Sequence, residues 1–225
     1  MSDVVMVNSD WSKRLLIKAG VDQNKIAVVS LAYEAPQANV TRSFPMSFDV
    51  NRPLRLLYLG GIGIRKGFHI LIDAMKLAKG LPVHLDVVGN LKGPAELLEN
   101  LPANVTLHGH VSNQQTKDFY VKADVMIFPT LSDGFGLTQL EAQNQKLPLI
   151  VSENCGTVIT NMTNGIVLGK VNPEEIIQSI QVLIDDPSLL KKFSDNSVPM
   201  QDYSLSKLAE NLVNLESHPA LASKG

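Results

Sequence analysis

The sequence predicts an α/β protein built on a doubly wound parallel sheet. Three observations carry this expectation. Short β-rich runs alternate with segments of helical period. Each run is bounded by Gly, Pro, Asn or Ser, and the helical segments between runs supply the crossovers that parallel strands need. The runs are 54–60 (LRLLYLG), 83–89 (VHLDVVG), 104–109 (NVTLHG), 124–129 (DVMIFP), 147–152 (LPLIVS) and 165–169 (GIVLG). Between the first two, Phe68, Leu71, Ile72, Met75 and Ala78 follow the i, i+3, i+4, i+7 spacing of a helix face, and Gly80 and Pro82 end it. Asn172-Pro173-Glu174-Glu175 reads as a helix start, with an Asn cap, Pro at the first helical position and acids in the first turn. Ile176, Ile180, Leu183 and Ile184 form its inner face. Asp186-Pro187 opens a further helix with Leu189, Leu190 and Phe193 inward.

The segments before residue 53 read differently. VVMVNS (4–9) is strand-like, Ser9-Asp10 caps a helix over Trp11 to Ala19 that Gly20 stops, and 25–33 is a second strand. The polar, three-proline stretch 34–53 has no period and reads as a linker. The expected organisation is therefore a first unit at 1–35, a linker at 36–52, the main α/β domain at 53–200 and a C-terminal helix and tail at 201–225. In that tail Leu205, Leu208, Leu212 and Leu215 share one helical face.

Composition bounds the function. With 225 residues, 44% of them hydrophobic, 19% charged and a net charge of −2, the chain is expected to be globular rather than disordered. No basic cluster marks a nucleic-acid face, no apolar run approaches the roughly 18 residues of a spanning helix, and no secretory leader is evident. One cysteine, Cys155, excludes a disulfide framework. A cytoplasmic location is expected.

Ligands of open α/β sheets bind outside the carboxyl ends of the strands, and the informative residues fall there. GGIGIRKG (60–67) leads from a strand into a helix, with Arg65 and Lys66 adding charge. This is either a phosphate site of exposed backbone N–H groups or a tight turn with solvated cations. The glycines at 61, 63 and 67 miss the dinucleotide spacing, and the next strand ends in Gly89-Asn90 with no acid for a ribose. After the fourth run of the main domain comes SDGFGLTQLE (132–141). Its glycines expose a second set of N–H groups, and Asp133 and Glu141, eight residues apart, are spaced to aim two carboxylates at one pocket. Carboxylates suit paired sugar hydroxyls. Alternatively, Asp133 caps the helix and Glu141 pairs with Lys146. His108 and His110 share a strand without a third ligand at metal spacing, and Cys155 lacks an identifiable His partner, so both read as ordinary residues. A sugar-nucleotide epimerase would want more acids than these two.

Taken together, SDGFGLTQLEA followed by LPLIVS, with RKGFHILIDAM (65–75) some seventy residues earlier, resemble the nucleotide-sugar-binding half of the retaining GT-B glycosyltransferases known as glycosyl transferases group 1. LDVVGNLKGP (85–94), 104–130 and 164–190 keep that family's cadence, and 4–34 resembles the end of its N-terminal domain. The resemblance implies a Rossmann-like donor domain after a remnant of the N-terminal one. It implies that Lys66 holds the donor diphosphate, with Arg65 standing in for an Arg the family places where this chain has Gly61. Backbone N–H groups of Gly134, Phe135, Gly136 and Leu137 would bind the distal phosphate. Glu141 would take the ribose and Asp133 the donor sugar. His110 and Val111 would hold the base over Gly89 and Asn90. The reaction would be glycosyl transfer from a nucleotide sugar with retention, in polysaccharide, lipopolysaccharide or glycoconjugate synthesis, without a metal or other cofactor. The glycan or lipid-linked acceptor would sit mainly on the N-terminal domain, so this part alone is expected to turn over little. The alternative is a non-catalytic or split-enzyme subunit that needs a partner chain.

Overall fold

A computed structural model describes residues 4–34 and 40–217. A small unit comes first. Strand β1 (Val5–Val7), helix α1 (Asp10–Lys18) and strand β2 (Ile26–Val28) form a two-stranded parallel sheet with one crossover. The Ser9 side chain caps α1 by accepting from Ser12 N, as the sequence suggests. The strand expected over 25–33 is shorter than its apolar run. β1 offers three residues for pairing, and beyond Val29 the backbone turns to another partner, Tyr33 N donating to Tyr203 O at 2.8 Å.

The main sheet contains β3 (Leu54–Leu59), β4 (Val83–Val88), β5 (Val105–Gly109), β6 (Val125–Phe128), β7 (Leu149–Ser152) and β8 (Gly165–Leu168), all paired in parallel in the order β5-β4-β3-β6-β7-β8. The expected α/β fold class, a doubly wound parallel sheet, is thus found. The chain winds outward one way from β3 and then returns to start again beside it, so the switch point lies between β3 and β6.

Both faces are covered, which is why β6 and β7 read as unbroken apolar runs. Alternate residues of β6 serve opposite cores. Val125 and Ile127 pack with helices α2 (Phe68–Leu77), α5 (Pro173–Asp185) and α6 (Ser188–Asp195). Met126 and Phe128 pack on the other side with α3 (Asn113–Lys122) and α4 (Thr138–Asn144). The expected starts of α2 and α5 are in place, and Asn172 accepts from Glu175 N at 2.8 Å. Helix α7 (Leu205–Val213) continues as a 3-10 turn over Asn214–Ser217, and its Leu208 and Leu212 line an apolar groove with Met6, Val7 and Leu31 of the first unit.

Residues 40–53 carry no helix or strand, yet they are bound tightly to the main domain. Phe44 and Phe48 join the first core. Arg52 makes two hydrogen bonds of 2.7 Å to the carboxylate of Asp124, whose side chain is only 5% exposed. Arg42 reaches the C-terminal ends of two helices at once. Its Nη1 donates to Tyr120 O of α3 and to Gln145 O after α4, both at 3.1 Å, and its Nη2 donates to Val121 O and Ala123 O. Burial brings the Arg42 guanidinium down to about 10, against an upward pull from Asp124, so it stays charged at neutral pH.

Candidate functional site

Because the strands are parallel, the loops after β3, β4, β5 and β6 all emerge at one edge of the sheet. The first two touch through glycine. At Gly89 φ is 145°, and a Cβ there would lie 1.8 Å from Gly60 O, so a side-chain-free residue is required for the loops after β3 and β4 to meet. Ile62 N then donates to Asn90 O, and Lys92 N to Ile62 O, holding the two loops together past the strand ends. His110 and Val111 follow β5, His110 exposed and Val111 packed against the second core.

The loop after β3 ends in a 3-10 turn, Ile64–Lys66, whose cap Gly67 has φ 71°. A Cβ on Gly67 would stand 2.0 Å from Pro129 O, in the loop after β6. This close approach brings the two cations of the turn to the switch point. Lys66 Nζ forms an ion pair with Asp133, the two side chains 22% and 16% exposed, and sits 4.9 Å above the Phe128 ring. Arg65 Nη1 donates to Ser132 O at 2.7 Å. The pairing of Asp133 with Lys66 replaces the alternative of a helix cap, since α4 has no side-chain cap. Among the described residues, no hydrogen bond takes up the N–H groups of Gly134, Phe135, Gly136 and Leu137. Gly134 also lies beside the Asn8 side chain of the first unit.

Glu141 does not join Lys66 and Asp133. It lines a separate cleft between α3 and α4, where Oε2 accepts from the Tyr120 hydroxyl at 2.7 Å. Asp133 and Glu141 therefore meet different partners, because the loop carries Asp133 to Lys66 while α4 turns Glu141 toward Tyr120 of α3. Gly61, which carries no side chain toward this edge, is covered by Lys92: a Cβ at 61 would come within 2.9 Å of Lys92 Cγ.

Residues 44–198 match the model of the family described as Glycosyl transferases group 1. The chain belongs to that family. Among glycosyltransferases of known sequence, it is 33% identical over 214 residues to the capsular polysaccharide biosynthesis glycosyltransferase CapM of Staphylococcus aureus, covering 87% of this chain and 55% of CapM. In fold it is similar to Anabaena HepE, solved with UDP and glucose, at a TM-score of 0.73 and 18% identity, covering 96% of this chain and 64% of that one. The sucrose-phosphate synthase of Thermosynechococcus elongatus shares the fold at a TM-score of 0.72 and 20% identity, covering 96% and 58%. The chain spans about half the length of the curated relatives it matches.

The other candidates in this glycosyl transferases group 1 chain lie near the same edge but have ordinary partners. His108 Nε2 is 2.6 Å from Asp86 Oδ1, and its ring meets Phe119 edge-on at 4.6 Å. Among the described residues, no group of three or more His, Cys, Asp or Glu is placed to hold a metal, and no helix is long and apolar enough to cross a membrane. Cys155 is buried, its Sγ donating to Ser152 O at 3.2 Å, and burial pushes its thiol up to about 12, with Asp133 adding to the rise. Sequence reasoning missed Tyr120, Phe128 and Arg42, whose roles depend on partners far along the chain. It also passed over α3, although Ser112 and Gln115 form a capping box that spells its start.

Proposed function

We propose that this chain is the donor-binding part of a retaining glycosyltransferase acting on a nucleotide-diphosphate sugar. The observation that carries the reading is the convergence of Lys66 and Asp133 at the switch point, beside a run of unengaged backbone N–H groups at 134–137. Lys66, with Arg65 close by, meets the diphosphate, and the N–H groups of Gly134, Phe135, Gly136 and Leu137 take its distal phosphate. Asp133 faces the donor sugar, while Glu141 accepts the ribose hydroxyls in the adjoining cleft. His110 and Val111 hold the base, with Gly89 and Asn90 beneath it. When the glycosidic bond to the diphosphate breaks, negative charge builds on the departing nucleoside diphosphate. A fixed ammonium and preset N–H donors stabilise that charge without a metal. The acceptor, a glycan or lipid-linked sugar of polysaccharide or related synthesis, and a cytoplasmic setting complete the reading, which family membership and the likeness to CapM support.

A thermal-shift titration with UDP, GDP and ADP tests it. A ligand at about 100 times its dissociation constant adds roughly 2.7 kcal/mol, which moves the midpoint by about 5–10 °C for a chain this size. Glu141→Ala should weaken the nucleoside diphosphate that binds by about 1.5–3 kcal/mol, the worth of a hydrogen bond to a charged group. An unchanged affinity removes Glu141 from the ribose site.

A further inference from the structure

Tyr120 of α3 meets the carboxylate of Glu141 on α4. Its ring is buried, 3% exposed, in the core beneath the sheet edge, packed with Leu57, Ala123 and Met126. Only its hydroxyl leaves that core, and it ends on Glu141 Oε2. Among the described residues, no hydrogen bond reaches the other oxygen, Oε1. The cleft beyond is mixed in character, walled by Asn113, Thr116 and Lys117 of α3, Gln145 after α4, and Tyr33 and Glu34 from the first unit.

We infer that Tyr120 is a positioning residue that sets Glu141 to read the paired ribose hydroxyls of a nucleoside diphosphate. This inference rests on the assignment of Glu141 under Proposed function. A glutamate side chain has three rotatable bonds and samples several rotamers unless something fixes it. A rigid aromatic seated in the core fixes it from one side, spending one oxygen and leaving the remaining acceptor positions for the ligand. Tyr120 suits the task because it cannot change role. Burial and the neighbouring Glu141 charge hold its hydroxyl well above the usual tyrosine range, so it stays protonated and donates. The distance between the two helices is itself set, because Arg42 Nη1 grips Tyr120 O and Gln145 O together. Two side chains from two other parts of the chain, Tyr120 and Arg42, thus fix one carboxylate.

The test measures a ratio that a merely structural role leaves alone. UDP, GDP and ADP are each titrated against their 2′-deoxy counterparts into wild type, Tyr120→Phe and Glu141→Gln, with melting temperatures recorded for all three proteins. Wild type should prefer the ribose form by about tenfold or more, the worth of a hydrogen bond to a carboxylate. Tyr120→Phe should keep its fold and bind the 2′-deoxy form as wild type does. Its preference for ribose should fall by about fivefold or more. Glu141→Gln should lose most of the preference as well. Loss of the preference in Glu141→Gln with full retention in Tyr120→Phe overturns the role of Tyr120 and leaves Glu141 as the ribose ligand. Full retention in Glu141→Gln, or no ribose preference in wild type, overturns the assignment of Glu141 and the inference with it.

Discussion

Replacing Arg52 with alanine should cost more than replacing its partner Asp124, although both changes delete the same ion pair. The asymmetry follows from burial. Asp124 is 5% exposed at its side chain and Arg52 33%. Without Arg52, the carboxylate keeps the Arg55 N–H, at 2.9 Å, as its hydrogen-bond donor and loses its ion-pair partner while staying largely buried. Stranding a buried charge in this way costs about 3–5 kcal/mol. Without Asp124, the guanidinium swings to solvent, and the main loss is the partner of the Arg55 N–H, at most about 1–3 kcal/mol. The double variant should cost about as much as Asp124→Ala alone, because Arg52 has nothing left to neutralise. Urea and thermal unfolding of the four proteins give the cycle directly. At about 2–4 °C per kcal/mol for a chain of this length, Arg52→Ala should lower the midpoint by roughly 6–20 °C. Arg52→Ala proving no worse than Asp124→Ala, or the two losses adding in the double variant, would refute the reasoning.

Two further outcomes are expected. Asp133→Asn frees Lys66 from its carboxylate, so a nucleoside diphosphate should bind about fivefold tighter, the scale of a partly exposed pair. The extra affinity of the matching nucleotide sugar should fall, and paired titrations moving in the same direction would exclude Asp133 as a sugar contact. Cys155, with its thiol near 12, should be roughly one part in ten thousand thiolate at pH 8. Alkylation in the folded protein should therefore wait for unfolding, and fast labelling without loss of structure would contradict the burial.

Local chemistry made much of the fold legible. Asn172-Pro173 and Ser9 are helix starts whose capping atoms lie within a few residues, and the runs of β6 and β7 are apolar throughout because both faces of the sheet are buried there, whereas edge strand β5 is exposed at four of its five residues. Strand order has no local signature, since pairing β3 with β6 joins residues some seventy apart. The site was half legible for the same reason. GGIGIRKG and SDGFGLTQLE announce their loops, because clustered glycines directly after apolar runs mark strand-to-helix turns. That Lys66 answers Asp133 while Glu141 answers Tyr120 depends on which way two loops turn over the sheet, and no spacing within either motif encodes it. Arg42 was hidden most completely. It sits in a stretch with no period, and its partners are backbone carbonyls, which have no sequence signature at all.

The grip of Arg42 makes α3 and α4 resemble the arms of tweezers joined at their base. The guanidinium holds them at their C-terminal ends, on the side of the domain away from the carboxyl ends of the strands. A ten-residue helix such as α3 is about 15 Å long, so a tilt of about 5° at the joint shifts its free tip by about 1.3 Å. That exceeds the tolerance of a hydrogen bond. The joint is fastened by residue 42, which belongs to the stretch running between the first unit and the main sheet. Any strain on that stretch bears on the joint, and the gap between the arms is where it becomes visible.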